Sequence, residues 1–448
     1  MKVNKEEVEI LPSGVVTCML NGREVNIVKV SPEKITIRIS EEVKEVKKLL
    51  LAFYIFDKCR YEEVVVYDYK VISKIEKEFY YTYTFIVSDD DYRKNVKDVF
   101  NRYFKYVMLK NCGEDNEFSR EMVGYPAELD YDFYNLYIDQ KKDWVSNLNY
   151  EEFDERIIES IELAISLDNE DLYNSYLSKD FKTFYKDYLK DNFIENHKLF
   201  KEGFSRLYVG NEFCHNLFPR DEVLMKILEK AKKENLKITL CFTYLRDLYI
   251  ERNKELLEEV YNWGRNTDTK IEIVINDWGM IELLKDKIDY LEPTLGSLLN
   301  KRRKDPRILY KKGVKENKEL MGENSTNCLS YTKFLRKNNI SRFEYETCGY
   351  EIKVPEGKHS LHLPFYQTNT SQFCPLYAMC TFQDRGNQKL VTSCPRYCKD
   401  YVFAYPKHLK MVGLYNSLFG FDDTVLKDAE KLKYYIENGI DRLVLNFK

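Results

Sequence analysis

The sequence lacks the features that usually mark a membrane, secreted or nucleic-acid-binding protein. No apolar run approaches the roughly 18 residues that a membrane span needs. The opening stretch, MKVNKEEVEI, contains no apolar segment typical of a signal peptide. The net charge of −4 leaves no basic excess for nucleic acid. We therefore expect a cytoplasmic protein with no membrane span and no strong nucleic-acid signal.

Familiar hydrolase motifs are absent as well. The chain contains no Gly-x-Ser-x-Gly, no His-Glu-x-x-His and no convincing Cys–His dyad. What it does contain is 448 residues, of which 44% are hydrophobic and 32% charged. This composition supports a sizeable core and is not typical of disorder, and the length allows about three domains.

Residues 1–110 have the pattern of short antiparallel strands. Asn21-Gly22 is a strong hairpin signal, and β-branched and aromatic runs follow it on both sides of Ser31-Pro32. We predict a small β-barrel. Its pattern resembles a degenerate PilZ domain, a barrel that in its family binds a cyclic dinucleotide. Ser31 matches that family's serine, but the aspartate, the glycine and the arginine pair are missing, so a structural or partner-binding role is the expectation.

Residues 111–200 are predicted to be a helical connector. Glu151 to Leu167 and Leu172 to Leu199 carry apolar residues at helical spacing. Residues 201–448 then alternate strands with helices, which predicts an α/β domain with a (β/α)8 TIM-like barrel. The eight predicted strands are Leu207–Val209, Ile238–Phe242, Ile271–Ile275, Thr294–Ser297, Phe343–Tyr345, Ser360–Phe365, Tyr401–Ala404 and Leu443–Leu445.

Cysteines concentrate near the end of this domain. Cys374, Cys380, Cys394 and Cys398 lie close together in the chain, and three residues separate the last two. Such clustering in a chain without an export signal predicts a metal or iron–sulfur site before disulfides. Cys214 follows the first predicted strand, and loops that follow barrel strands share one rim, so it can join the same centre. Structural zinc and buried unliganded thiols remain alternatives.

Three motifs contain most of these cysteines: Val209-Gly210-Asn211-Glu212-Phe213-Cys214, Ser371-Gln372-Phe373-Cys374 and Cys394-Pro395-Arg396-Tyr397-Cys398. By these motifs, residues 207 to about 445 resemble the collagenase-like peptidase superfamily, which includes the UbiU and UbiV proteins, and the UbiV pattern is the closer. The resemblance implies a [4Fe–4S] cluster held by Cys214, Cys374, Cys394 and Cys398. The long stretch between Cys374 and Cys394 keeps Cys380 open as a substitute ligand. The family's chemistry implies oxygen-independent hydroxylation or a related modification, as in members that act on quinone precursors or RNA.

Other polar residues fall after the predicted strands, where a barrel places its active site. Candidate catalytic residues are Asp277, Glu344 and His362. Candidate substrate-binding residues are Tyr244, Arg246, Arg302, Arg307 and Gln367. The basic loop after the fourth predicted strand, Asn300 to Arg307, could bind a carboxylate or phosphate of a small anionic metabolite. The plainer interpretations are a solvated loop for its charge run Lys301–Lys304 and a core histidine for His362.

Two functions from different classes follow. The first is an enzyme of the UbiU/UbiV type, acting on a small molecule or a macromolecule. The second is a non-enzymatic module in which the iron–sulfur cluster is structural or senses redox state. In that case the N-terminal region would contact a macromolecular partner.

Overall fold

The computed structural model describes residues 15–55, 60–77, 79–112, 132–304, 306, 318–405 and 409–448. The chain forms two compact units. The N-terminal unit runs to Asp132 and includes Phe403–Leu409, and the C-terminal unit comprises Phe133–Val402 and Lys410–Lys448. No helix in the described ranges has both the length and the apolar character needed to cross a bilayer.

The N-terminal unit is built on a seven-stranded antiparallel sheet with the order β5-β4-β1-β2-β3-β7-β6. Its strands are β1 (Val16–Leu20), β2 (Arg23–Val30), β3 (Lys34–Ile39), β4 (Leu49–Ile55), β5 (Arg60–Val66), β6 (Tyr69–Glu76) and β7 (Tyr81–Val87). The predicted hairpin is confirmed, because β1 and β2 pair with Leu20 opposite Arg23. Asn21 and Gly22 between them both have positive φ, as a tight hairpin turn requires.

One helix, α1 (Asp90–Cys112), covers this sheet. Tyr92, Val96 and Val99 are spaced to share one helix face, and all three are buried among the sheet's apolar residues. The Tyr92 hydroxyl donates to the main-chain oxygen of Ser31 at 2.8 Å. The helix is thereby tied to the turn between β2 and β3.

The C-terminal unit contains a nearly closed parallel barrel of eight strands. They are β9 (Glu162–Leu167), β10 (Arg206–Gly210), β11 (Lys237–Cys241), β12 (Ile271–Ile275), β13 (Leu291–Leu295), β14 (Glu344–Glu346), β15 (His359–Leu363) and β20 (Ile440–Leu445). Neighbours in the sheet follow chain order, and β20 lies between β15 and β9. A parallel bridge between Leu295 and Phe343 joins the two remaining ends. The predicted TIM-like architecture is therefore confirmed at the level of a parallel barrel.

Helices precede the first barrel strand and follow most of the others, as parallel pairing requires a crossover. They are α2 (Tyr134–Val145), α3 (Arg156–Glu159), α4 (Glu170–Ser178), α5 (Phe181–Asp191), α6 (Asp221–Lys233), α7 (Ile250–Thr267), α8 (Gly279–Leu284), α9 (Lys318–Gly322), α10 (Leu329–Lys337), α11 (Pro375–Phe382), α12 (Thr424–Lys427) and α13 (Ala429–Glu437). Apolar faces of α6, α7 and α13 are buried in the same core as the strands. In a parallel barrel, the loops that follow the strands all lie at one end. The candidate site lies at that end.

The first barrel strand lies in the range predicted to be a helical connector. Residues 151–167 were predicted to be helical, but only α3 is, and β9 pairs with both β10 and β20. The helix prediction is wrong because five consecutive residues of β9, Leu163 to Leu167, are buried. A strand buried on both faces loses the alternation that distinguishes it from a buried helix.

Between β15 and β20 the chain forms an insertion that contributes four strands to a second, five-stranded sheet. This sheet contains β16 (Phe365–Thr370), β17 (Tyr401–Ala404), β18 (Met411–Leu414), β19 (Ser417–Phe421) and the earlier β8 (Asp132–Phe133). Tyr401–Ala404, predicted to be a barrel strand, is a strand of this second sheet instead. Its apolar run satisfies either sheet, so the sequence alone does not separate them.

Candidate functional site

Four cysteines from three separate stretches of the C-terminal unit line one small cavity. Cys214 comes from the loop after β10, Cys374 precedes α11, and Cys394 and Cys398 precede β17. Apolar and aromatic side chains, including Leu217 and Tyr415, complete the cavity. These are the four cysteines that the resemblance implies as cluster ligands.

The loop that carries Cys214 is fixed by Asn211. Its side-chain oxygen accepts hydrogen bonds from the N–H groups of Phe213 (2.9 Å) and Cys214 (2.8 Å). Its amide nitrogen donates to the main-chain oxygen of Asp168 at 3.0 Å. The loop after β10 is thereby held to the loop after β9, at the barrel end where the strands finish.

Two of the sulfurs accept hydrogen bonds from main-chain N–H groups. The Cys374 Sγ accepts from Tyr377 at 3.3 Å and caps α11, which begins with Pro375. The Cys394 Sγ accepts from Arg396 at 3.4 Å. Such donors favour a sulfur that carries negative charge, and they are one means by which proteins tune iron–sulfur potentials.

Burial works against free thiolates in this cavity. It raises the pKa values of Cys214, Cys374 and Cys398 to about 12, and the neighbouring cysteines add to the effect. Gathering several thiolates here therefore requires a positive charge among them, which a bound metal supplies. The donor set, four thiols around one cavity, fits an iron–sulfur cluster by number and type, and it fits a structural zinc ion as well.

Across the described residues, no group of three or more His, Cys, Asp or Glu side chains is arranged to hold a metal ion as it stands. Cys380 lies in α11 and is not among the described residues that line the cysteine cavity. Cys241 is buried in the barrel interior, and Cys348 packs with Met321, Tyr350 and Tyr366. The geometry thus favours Cys374 over Cys380 as a member of the group.

Inside the barrel, Glu344 and His362 form a buried pair. The Nε2 of His362 lies 2.8 Å from a Glu344 oxygen. The hydroxyls of Tyr208 and Ser360 donate to the same carboxylate at 3.2 Å. Burial opposes a charged imidazole, but the hydrogen bond and charge of Glu344 outweigh it and raise the pKa of His362. These two candidates are therefore brought together, with His362 also lining a small cavity at the barrel mouth.

Arg302 and Gln367 meet around a second buried carboxylate, that of Glu346. The Gln367 N–H donates to Glu346 at 2.7 Å, and Lys304 Nζ lies 2.5 Å from the other oxygen. Arg302 donates to the main-chain oxygen of Glu346. Lys304 and Glu346 are only 8% and 6% exposed at their side chains. The interpretation of Lys301–Lys304 as a solvated loop therefore fits the exposed Lys301 and Arg303, but not Lys304.

A further carboxylate at the mouth, that of Glu212, was not singled out from the sequence. It is 8% exposed, and one of its oxygens accepts from Asn276 at 3.0 Å and from the Ser297 hydroxyl at 3.2 Å. It lines the same mouth cavity as His362 and Glu346. The available signal was its position just after a buried barrel strand.

Tyr244 and Arg246 contact the cysteine-bearing insertion. The Tyr244 hydroxyl donates to the main-chain oxygen of Gln372 at 2.9 Å, and Arg246 donates to the same oxygen. The Arg246 guanidinium also lies over the Phe373 ring, 5.2 Å from its centre. Both predicted substrate-binding residues therefore hold the segment that leads into Cys374.

The remaining candidates are less informative. The Asp277 carboxylate accepts from the Gly279 N–H at 2.8 Å, at the start of α8. That contact gives Asp277 a local structural use. Arg307 lies outside the described residues.

Comparisons with known proteins add little to this geometry. No family model matches the chain, and no curated protein matches it. Among solved structures, a crystal structure of the uncharacterised Legionella protein Lpg0364 is similar over 22% of this chain and 95% of that protein. The two are 15% identical, with a TM-score of 0.17. A likeness this low identifies neither a fold nor a family for the chain.

Proposed function

We propose that the C-terminal unit holds a [4Fe–4S] cluster through Cys214, Cys374, Cys394 and Cys398. We further propose that it is an oxygen-independent hydroxylase or a related modifying enzyme of the UbiU/UbiV type. The observation that carries the proposal is that four cysteines from three separate stretches of the chain meet around one cavity. Chance burial of thiols does not require such convergence, whereas a shared centre does.

The chain's own residues supply proton chemistry inside the barrel. A bound cluster would supply or accept single electrons. Glu344 orients His362 through Nε2, which leaves Nδ1 as the atom at which the ring can give or take a proton. Because Glu344 raises the pKa of His362, the protonated ring persists to a higher pH than in an ordinary histidine.

One unpaired donor, on Arg302, suits an anionic substrate. Arg302 keeps a buried Nη1 without a hydrogen-bond partner among the described residues. Such a donor is costly to leave unsatisfied, and a carboxylate or phosphate oxygen would satisfy it. A small anion at this position would lie near Glu346 and Gln367.

Anaerobic purification of the full chain tests the cluster directly. We expect about four irons and about four labile sulfides per chain, with a brown visible spectrum. Changing Cys214, Cys374, Cys394 or Cys398 to Ala should each remove most of the iron, because a methyl group cannot replace a thiolate ligand.

Cys380→Ala is the matched control, since Cys380 lies in the helix that Cys374 begins, and it should retain the iron. Cys328→Ala, at an exposed position, should retain it too. One zinc per chain without labile sulfide would overturn the iron–sulfur proposal. Loss of iron in Cys380→Ala but not in Cys374→Ala would overturn the ligand assignment alone.

A further inference from the structure

A larger cavity, of about 320 Å³, adjoins the cysteine cavity. The two share Leu217, Cys398 and Tyr415 in their walls. Asp168 and Lys448 line both the larger cavity and the barrel-mouth cavity. The volume of the larger cavity lies at the lower end of the range for small-molecule sites. A ligand there would touch the segment that carries Cys398.

Most charges around this cavity are already paired. Lys399 lies 2.9 Å from Asp171, Arg396 lies 3.7 Å from Glu170, and Lys448 lies 2.5 Å from Asp168. These pairs account for three cationic and three acidic residues of the wall. Two wall charges remain, those of Lys141 and Asp191, and only Lys141 is buried, at 5% exposed.

Lys141 has no Asp or Glu side-chain carboxylate within ion-pair distance among the described residues, and the charge of Asp191 acts on it only from farther away. Its Nζ donates to the Asn192 side-chain oxygen at 3.0 Å and to the main-chain oxygen of Lys448 at 3.2 Å. An amine has a third position, which these two contacts leave for a ligand. Burial lowers the pKa of Lys141 to about 8, so a large fraction of the amine is neutral at mildly alkaline pH.

The cavity walls around Lys141 indicate which part of a ligand would lie away from the amine. Ile138, Leu172 and Leu414 contribute apolar surface, and Tyr134 and Tyr188 contribute aromatic rings. A small molecule with an apolar or aromatic body fits such walls. Its reactive end must suit a desolvated amine, and a carbonyl carbon is the electrophile with which buried lysines characteristically react.

We propose that this cavity binds a small apolar aldehyde or ketone, which Lys141 holds reversibly as an imine. In the step, Nζ forms a bond to the carbonyl carbon, both amine hydrogens pass to the carbonyl oxygen, and that oxygen leaves as water. No electrons are gained or lost, so no oxidant or reductant is required. The proposal goes beyond the iron–sulfur function and does not depend on the four cysteines.

Reductive trapping on the full-length protein tests it. The protein is incubated at about pH 8 with limiting benzaldehyde and sodium cyanoborohydride, digested, and mapped by mass spectrometry. Lys141 should carry the benzyl adduct at least about tenfold more than exposed Lys142, because the neutral fraction of an amine rises tenfold for each unit by which its pKa falls. In urea-unfolded protein this preference should disappear.

Two variants sharpen the result. Lys141→Arg keeps a cation but cannot form an imine, and it should lose the preferred adduct while the exposed lysines label as before. Lys142→Arg is the matched control on the same helix and should leave Lys141 labelling unchanged. Wild-type mapping needs no variant to fold. An unlabelled Lys141 beside labelled surface lysines in native protein would overturn the proposal, whatever the iron content.

Discussion

Individual buried polar residues of the C-terminal unit divide by their place along the barrel axis. At the end where the strands begin, Arg442 donates to Glu272 at 2.6 Å and also bonds Glu162. Arg442 is 2% exposed, and every partner it meets is paired, so this network serves stability. At the opposite end Arg302 and Lys141 keep unused donor capacity, and ligands are expected there.

His197 gives a pH-dependent prediction at the residue scale. Its Nδ1 accepts from the Leu199 N–H at 3.2 Å, and Nε2 donates to the Leu426 oxygen at 2.9 Å, so the ring is held neutral. Burial lowers its pKa from 6.5 to about 4. The neutral ring therefore makes its full contribution to the free energy of unfolding above about pH 6.5. This contribution, of up to about 3 kcal/mol, is lost as the pH falls toward 4.

Denaturant unfolding of the wild type and of His197→Gln across this pH range measures the effect. The wild type should be more stable than His197→Gln at neutral pH, and this difference in unfolding free energy should shrink as the pH falls. Contributions from the other histidines are the same in both proteins and cancel in the difference. A stability difference that stays constant between pH 7 and pH 4.5 would contradict the assignment.

At the scale of elements, Gly210 determines the backbone path from the end of β10 into the loop that carries Cys214. Its φ is +118°, and an added Cβ would lie 2.5 Å from the Cys241 main-chain oxygen and 2.9 Å from the Phe218 ring. Gly210→Ala should therefore cost about 2–5 kcal/mol of unfolding free energy, from backbone strain together with overpacking. It should also lower iron loading by displacing Cys214.

Gly22→Ala separates these causes. Gly22 also has positive φ, at +82°, but nothing lies within 4 Å of an added Cβ. Its substitution should cost the strain alone, about 1–2 kcal/mol, with iron loading unchanged. Denaturant unfolding measures both variants. Equal losses of unfolding free energy would show that the close contacts of an added Cβ at Gly210 do not destabilise the fold.

The elements also show what the sequence could predict. Ile271–Ile275 was identified to the residue because a short apolar run between helices is typical of a parallel strand. The Cys214 loop and the insertion could be related because loops after barrel strands share a rim. Strand β9 was missed because the sequence of a continuously buried strand has the same apolar pattern as that of a buried helix. Lys141 could not be found, because its cavity is assembled from segments far apart in the chain and no local pattern marks it.

For the whole molecule, the structure predicts where the chain can be divided. A fragment comprising 133–448 keeps all eight barrel strands and should unfold in one cooperative transition. A fragment that begins at residue 206 lacks β9, which lies between β10 and β20. It should fail to fold cooperatively, because both neighbours lose their partner and the barrel opens.

The energetic scale supports this difference. The shorter fragment loses Leu163, Ile165, Leu167, Tyr176 and Phe184, each at most 4% exposed. Burial of each such side chain contributes about 1.5–3 kcal/mol, and their total is comparable with the roughly 5–15 kcal/mol that stabilises a whole domain. Circular dichroism and thermal unfolding of both fragments provide the measurement. A sharp transition in the fragment that begins at residue 206 would mean that the barrel closes without β9, which its pairing with both neighbours argues against.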